Sequence, residues 1–93
     1  MLQVELSRSE GRPGEVVRVR VRPEQAEAVS GVRLVIDEAD AGVDGPLQRD
    51  GDAWVLEAPV PWEAPPGMYG LSFLAYGAGG ALLESARAAF TVL

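Results

Sequence analysis

At 93 residues the chain has room for one domain with a single two-layer core, expected to span 1–93. Its basic charge comes only from eight arginines, and fourteen acidic residues leave a formal charge of −6, which opposes binding to nucleic acid or to an anionic membrane surface. Cysteine, histidine, lysine and asparagine are absent, which removes disulfides and thiolates, the commonest general base and zinc ligand, the Schiff-base amine and the N-glycosylation acceptor.

The first predicted strand is "LQVELS", where Leu2, Val4 and Leu6 alternate with Gln3 and Glu5, and "RPG" at 12–14 turns the chain. "VVRVRVRP" follows, with Val17, Val19 and Val21 alternating against Arg18, Arg20 and Arg22. Strand side chains point to opposite faces with a period of two, so the valines face a core and the arginines face away from it. "EQAEAV" at 24–29 is too short and uncapped for a helix and reads as a loop. The third strand, over 31–37, sends Val32, Leu34 and Ile36 inward and Arg33, Val35 and Asp37 outward.

A polar connection leads to a short strand around Leu47, and Asp50-Gly51 between extended segments is a hairpin signal because both positions tolerate positive φ. The next strand, "AWVLEAPVP", points Trp54, Leu56, Ala58 and Val60 to one side, and Pro59 and Pro61 make its far end an edge or an exit. After "APPG", "MYGLSFLAY" buries Tyr69, Leu71, Phe73 and Ala75; "GAGG" at 77–80 turns into a last strand that buries Ala88, Phe90 and Val92. Continuing that parity backwards would bury Glu84, which predicts a bulge or an unpaired start before Ala86. About seven short strands without a useful helix define an all-β class, an antiparallel β-sandwich.

From "PGEVVRVRVRP" through the Asp-Gly turn, the Trp-led strand, "PPGMY" and the Gly-rich turn, the chain resembles bacterial immunoglobulin-like domains of secreted and cell-envelope proteins. A narrower likeness is to the noncatalytic β-domains that precede metallopeptidase domains in bacterial cell-wall enzymes; no peptidase residues are present. The resemblance implies an immunoglobulin-like topology, an envelope or secreted setting, and a role as spacer, adhesion module or accessory domain. It also implies that Tyr69, after "PPG", bonds its hydroxyl to nearby backbone to fasten a corner. Many relatives carry an acid near 76 or 77 that helps to hold calcium; Tyr76 and Gly77 stand there in this chain. No segment approaches the length of a membrane-spanning helix, and the N-terminus lacks the basic start and apolar run of a signal peptide. That leaves either a cytoplasmic protein or a domain from which a targeting segment has been removed.

Three candidate surfaces follow. In the implied arrangement the row Arg18, Arg20, Arg22 lies between strands carrying Glu5 and Glu57, so cross-strand ion pairing is the plain reading and an acidic-polymer site the functional one. The outer face of the third, sixth and seventh predicted strands carries Val35, Leu74, Tyr76 and Ala89 among Arg33, Ser72 and Arg87, and its apolar character favours contact with a protein, either a neighbouring domain or a second copy. Trp62, between Pro61 and Glu63, is expected to be partly exposed; beside Glu63 it could stack on a sugar ring, or simply staple its own loop. The acidic run Asp37, Glu38, Asp40, Asp44, with Asp50 and Asp52, matches no EF-hand spacing and reads as solvated loop. No cofactor, metal site or nucleophile–base pair is expected from this inventory, so the reading is a noncatalytic structural or interaction module.

Overall fold

The computed structural model describes residues 2–37 and 45–93. The strands among them are β1 (Gln3–Leu6), β2 (Glu10–Gly11), β3 (Val16–Arg22), β4 (Val29–Ile36), β5 (Gly45–Pro46), β6 (Gln48–Asp50), β7 (Ala53–Pro59), β8 (Gly67–Gly77) and β9 (Leu82–Val92). They form two sheets, in the orders β1-β3-β7-β6 and β2-β9-β8-β4-β5. Every pairing is antiparallel except β2 with β9. The expected all-β, two-sheet class is therefore observed.

The strand inventory is finer than the seven segments expected from periodicity. The first segment divides: β1 pairs with β3, and after Ser7 the chain crosses to the other sheet, where β2 lies parallel to β9. Ser7 fixes the departure point, exchanging its N–H with the Arg18 carbonyl (2.9 Å) while its hydroxyl oxygen accepts the Arg18 N–H (2.9 Å). The Thr91 N–H then bonds the Ser9 carbonyl (3.0 Å). At the opposite edge, residues 45–50 make the reverse crossing from β5 to β6, and Leu47, buried between them, gives its N–H to Val32 (3.0 Å). Both crossings cover sheet edges that would otherwise be open to further pairing.

Residues 24–29 are not wholly loop as expected. Ala26–Ala28 form one 3₁₀ turn, and Val29 is already the buried first residue of β4. That turn meets Glu84, whose carboxylate oxygens accept the backbone N–H groups of Glu24 and Gln25, each at 3.0 Å. The expected irregularity before Ala86 is present: Ala75 pairs with Glu84 but Tyr76 pairs with Leu82, so Leu83 is the extra residue of a bulge.

The core lies between the sheets. Val17, Val19 and Val21 of β3 and Trp54 of β7 meet Val32 and Leu34 of β4, Phe73 and Ala75 of β8 and Phe90 of β9. Phe73 is fully buried at its centre, worth roughly 1.5–3 kcal/mol relative to exposure. No polar or charged residue among those described is buried, so the two layers are held by apolar packing and backbone ladders.

Candidate functional site

The two outer faces differ in chemistry because β3 and β8 carry different residues at their outward positions. On the β3 face, register sets Glu5 opposite Arg20 and Glu57 opposite Arg18, while Arg22 faces Gln3. The Arg18 Nε lies 3.6 Å from Glu57 Oε1 and an Arg20 NH group 3.9 Å from Asp50 Oδ2; Arg18, Glu57 and Asp50 are exposed and Arg20 is half-buried. These are loose, solvated contacts of the kind that contribute little. The arginine row thus sits on the outer face as expected, with carboxylates beside two of its members.

On the face formed by β4, β8 and β9, the ladder sets successive rungs: Gly31–Tyr76–Leu82, Arg33–Leu74–Ser85, Val35–Ser72–Arg87, and Gly70–Ala89. Val35, Leu74 and Tyr76 occupy neighbouring rungs and are half-buried. Leu82, 55% exposed, extends this apolar patch on β9. Its place there depends on the Leu83 bulge, which is why plain alternation missed it. Beside Tyr76 the surface is hollow, since a Cβ on Gly31 would meet no atom within 4 Å. Arg33 and Pro46 border the same hollow.

Ala89 belongs to this face but is set apart from Leu74 and Tyr76. Between them runs a polar tie: Ser72 Oγ donates to Asp37 Oδ1 at 2.7 Å, and Arg87 NH2 donates to Asp37 Oδ2 at 2.5 Å. The Asp37 N–H in turn bonds the Gly70 carbonyl at 2.9 Å. The Ser72 hydroxyl, and after it the Arg87 guanidinium, hold the Asp37 carboxyl below its ordinary range. Ser72 and Asp37 are adjacent, but a carboxylate with a lowered pKa is a weakened base, so the pair is poorly suited to activating the hydroxyl. The signal available in sequence was only that Asp37 shares outward parity with Arg33 and Val35.

The remaining candidates lie elsewhere. Trp62 is 79% exposed, yet its ring covers Gly14, whose φ is +90°; a Cβ there would collide with the indole. The expected partial exposure is exceeded, and the contact is with the 12–15 turn, which Glu15 ties down by accepting the Arg12 N–H and an Arg8 guanidinium N–H, each at 2.6 Å. These two groups, Arg12 first, lower the Glu15 pKa. Tyr69 donates its hydroxyl to the Pro65 carbonyl at 2.6 Å, so this phenol closes a backbone corner. Of the acidic run, Glu38, Asp40 and Asp44 lie outside the described residues. Among the described residues no group of three or more acidic side chains converges as a metal site would require. No helix among them is long and apolar enough to cross a membrane.

No protein-family profile matches the chain, and no curated protein matches it. Among solved structures it is similar to an engineered protein whose crystal structure came from a structural genomics consortium, with a TM-score of 0.56 and 20% identity. The match covers 99% of this chain and 20% of that one, so this chain spans about a fifth of the length of that structural neighbour. At that identity the likeness concerns the fold alone, an all-β arrangement of two sheets.

Proposed function

We propose that the chain is an immunoglobulin-like, noncatalytic module that serves a structural or protein-interaction role, in contact through the outer face of β4, β8 and β9. The topological reading draws support from the strand orders, with the first segment shared between sheets and β2 parallel to the final strand. The observation that carries the functional reading is the placing of the apolar side chains Val35, Leu74, Tyr76 and Leu82 on neighbouring rungs beside the hollow at Gly31. Apolar surface of this kind, rimmed by Arg33 and Arg87, matches the composition of a protein contact with an apolar centre and a polar rim. An aromatic anchor such as Tyr76 supplies contact area at small entropic cost.

Light scattering over a wide concentration range tests it, comparing the wild type with Leu74→Arg/Tyr76→Glu. Self-association of the wild type that the folded double variant loses supports contact through this face. Monomers throughout discard self-association, and association unchanged in the variant discards the face.

A second reading rests on the exposure of Trp62, whose ring, supported by Gly14, offers a flat apolar surface for a sugar. Glycan binding lost in Trp62→Ala favours it. The acidic-polymer reading of Arg18, Arg20 and Arg22 predicts heparin retention lost in Arg20→Glu; the carboxylates beside Arg18 and Arg20 count against it.

A further inference from the structure

Asp50 and Gly51 adjoin where β6 turns into β7. Because Asp50 pairs with Ala53, the residues inside the turn are Gly51 and Asp52, and Gly51 takes a φ of +65°. Glycine at the first central position suits such a two-residue hairpin turn. A Cβ on Gly51 would meet no atom within 4 Å, so nothing stands over its backbone. The Gly51 carbonyl accepts the Arg49 Nε–H at 3.1 Å, whereas no hydrogen bond among the described residues uses the Gly51 N–H. Beside it the Asp50 side chain is 65% exposed and has only the loose contact with Arg20 at 3.9 Å.

An aspartyl carboxyl carbon and the next amide nitrogen are one bond short of a small imide ring, and a following glycine leaves that nitrogen uncrowded. We propose that Asp50 is a site of spontaneous covalent self-modification, closing onto Gly51 and reopening as isoaspartate. The Gly51 nitrogen bonds to Asp50 Cγ, and its proton leaves with the carboxyl hydroxyl as water. Water then opens the succinimide: attack at Cγ restores aspartate, and attack at the Asp50 backbone carbonyl carbon leaves the chain running through Cγ. Solvent is the only co-reactant. Ring closure requires the Asp50 backbone to leave its extended conformation, which breaks its rung with Ala53. That rung ends the short strand β6, at the edge of its sheet, where local opening is least costly. Asp52 is exposed too, but the residue after it is the buried Ala53, whose backbone is paired with Asp50. A second Asp-Gly pair is Asp44-Gly45; Asp44 lies outside the described residues, and Gly45 is paired with Leu34. Isoaspartate adds a methylene to the backbone at residue 50 and removes the Ala53 rung. Leu47, buried and bonded to the Val32 carbonyl, confines the change to the hairpin end.

Long incubation of the folded wild type in water enriched in heavy oxygen tests the proposal, with digestion afterwards in ordinary water. Cleavage after Leu47 and Trp54 separates Asp50 and Asp52 from Asp44, and tandem mass spectrometry locates the label and the isoaspartyl linkage. Both are expected at Asp50 and not at Asp52. Both are expected to be lost in Gly51→Ala, where a methyl crowds the nitrogen. Asp50→Glu, which keeps the charge and the turn glycine but needs a larger ring, should lose them as well and serves if Gly51→Ala folds poorly. An Asp50 that stays unlabelled in the folded chain, over an incubation that converts it in the urea-unfolded chain, overturns the proposal. Label at Asp52 as strong as at Asp50, or label at residue 50 that persists in Asp50→Glu, overturns it equally.

Discussion

Asp37 and Arg87 meet across an intervening strand: the guanidinium from β9 reaches over β8 to a carboxylate at the end of β4, at 2.5 Å. With Ser72 of β8 bonded to the other oxygen, one carboxylate links three adjacent strands. Its pKa is lowered, by Ser72 first and Arg87 second. A carboxyl with a depressed folded pKa contributes stability above its unfolded value, about 3.9, and loses it as pH falls through the folded value. Asp37→Asn is therefore expected to lower Tm at neutral pH, with the gap to wild type closing below the ordinary carboxylate range. Thermal melts across pH check this, and a gap constant into strong acid would show that the charge contributes nothing.

Gly70 makes that crossing possible. A Cβ at this position would stand 2.6 Å from Asp37 Oδ2 and 3.3 Å from Arg87 NH2. Gly70→Ala should displace the bridge and destabilise the wild type, although alanine normally suits a strand better than glycine by roughly 0.5–1 kcal/mol. In an Asp37→Ala background the obstruction is gone, and Gly70→Ala should become neutral or mildly stabilising. Urea unfolding of the four combinations measures the change of sign; additive effects would mean that the two positions act independently.

Gly14 combines a left-handed φ of +90° with the indole of Trp62 above it. Gly14→Ala meets both obstacles, and a loss of roughly 1–3 kcal/mol is expected in denaturant unfolding. Trp62→Ala in the same chain should recover only the steric share, because the backbone conformation still disfavours a Cβ. Full recovery would assign the whole penalty to the indole.

Tyr69→Phe removes the hydroxyl bonded to Pro65 and should cost about 0.5 kcal/mol, the lower end of what a hydrogen bond contributes, because the Pro65 carbonyl is exposed and can find water. Equilibrium unfolding of the single variant suffices. No loss would mean that the corner is held by ring packing alone.

Where one face of a strand is buried and the other wet, the residues announce it: Val17, Val19 and Val21 against Arg18, Arg20 and Arg22 reveal both the strand and its orientation. Glu84, set in an inward parity with Ala86 and Ala88, likewise announced an irregularity nearby. The crossings at 7–9 and 45–50 were hidden because a strand that changes sheets does so without altering local polarity. Leu47 shows this: it is buried as an isolated apolar residue between two short strands on different sheets. On the candidate face, parity correctly placed Val35, Leu74, Tyr76, Ala89, Arg33 and Arg87 outward. It could not show that Leu82 joins them, which needs the register after the bulge, or that the Asp37 tie divides them, which needs side-chain reach across a strand.

The parallel pairing of β2 with β9 also sets how the fold carries tension. If the chain is pulled from its two ends, β2 is drawn one way and β9 the other along their common axis. The Ser9–Thr91 and Gly11–Leu93 backbone bonds then bear the load together in shear, whereas a hairpin pulled open surrenders its bonds one at a time. Thr91→Pro, which deletes the N–H given to Ser9, should lower the rupture force in single-molecule extension if this short clamp is the first element to yield. Two residues of strand, nearly invisible in the sequence, thereby lie where a pull between the two ends of the chain loads them in shear.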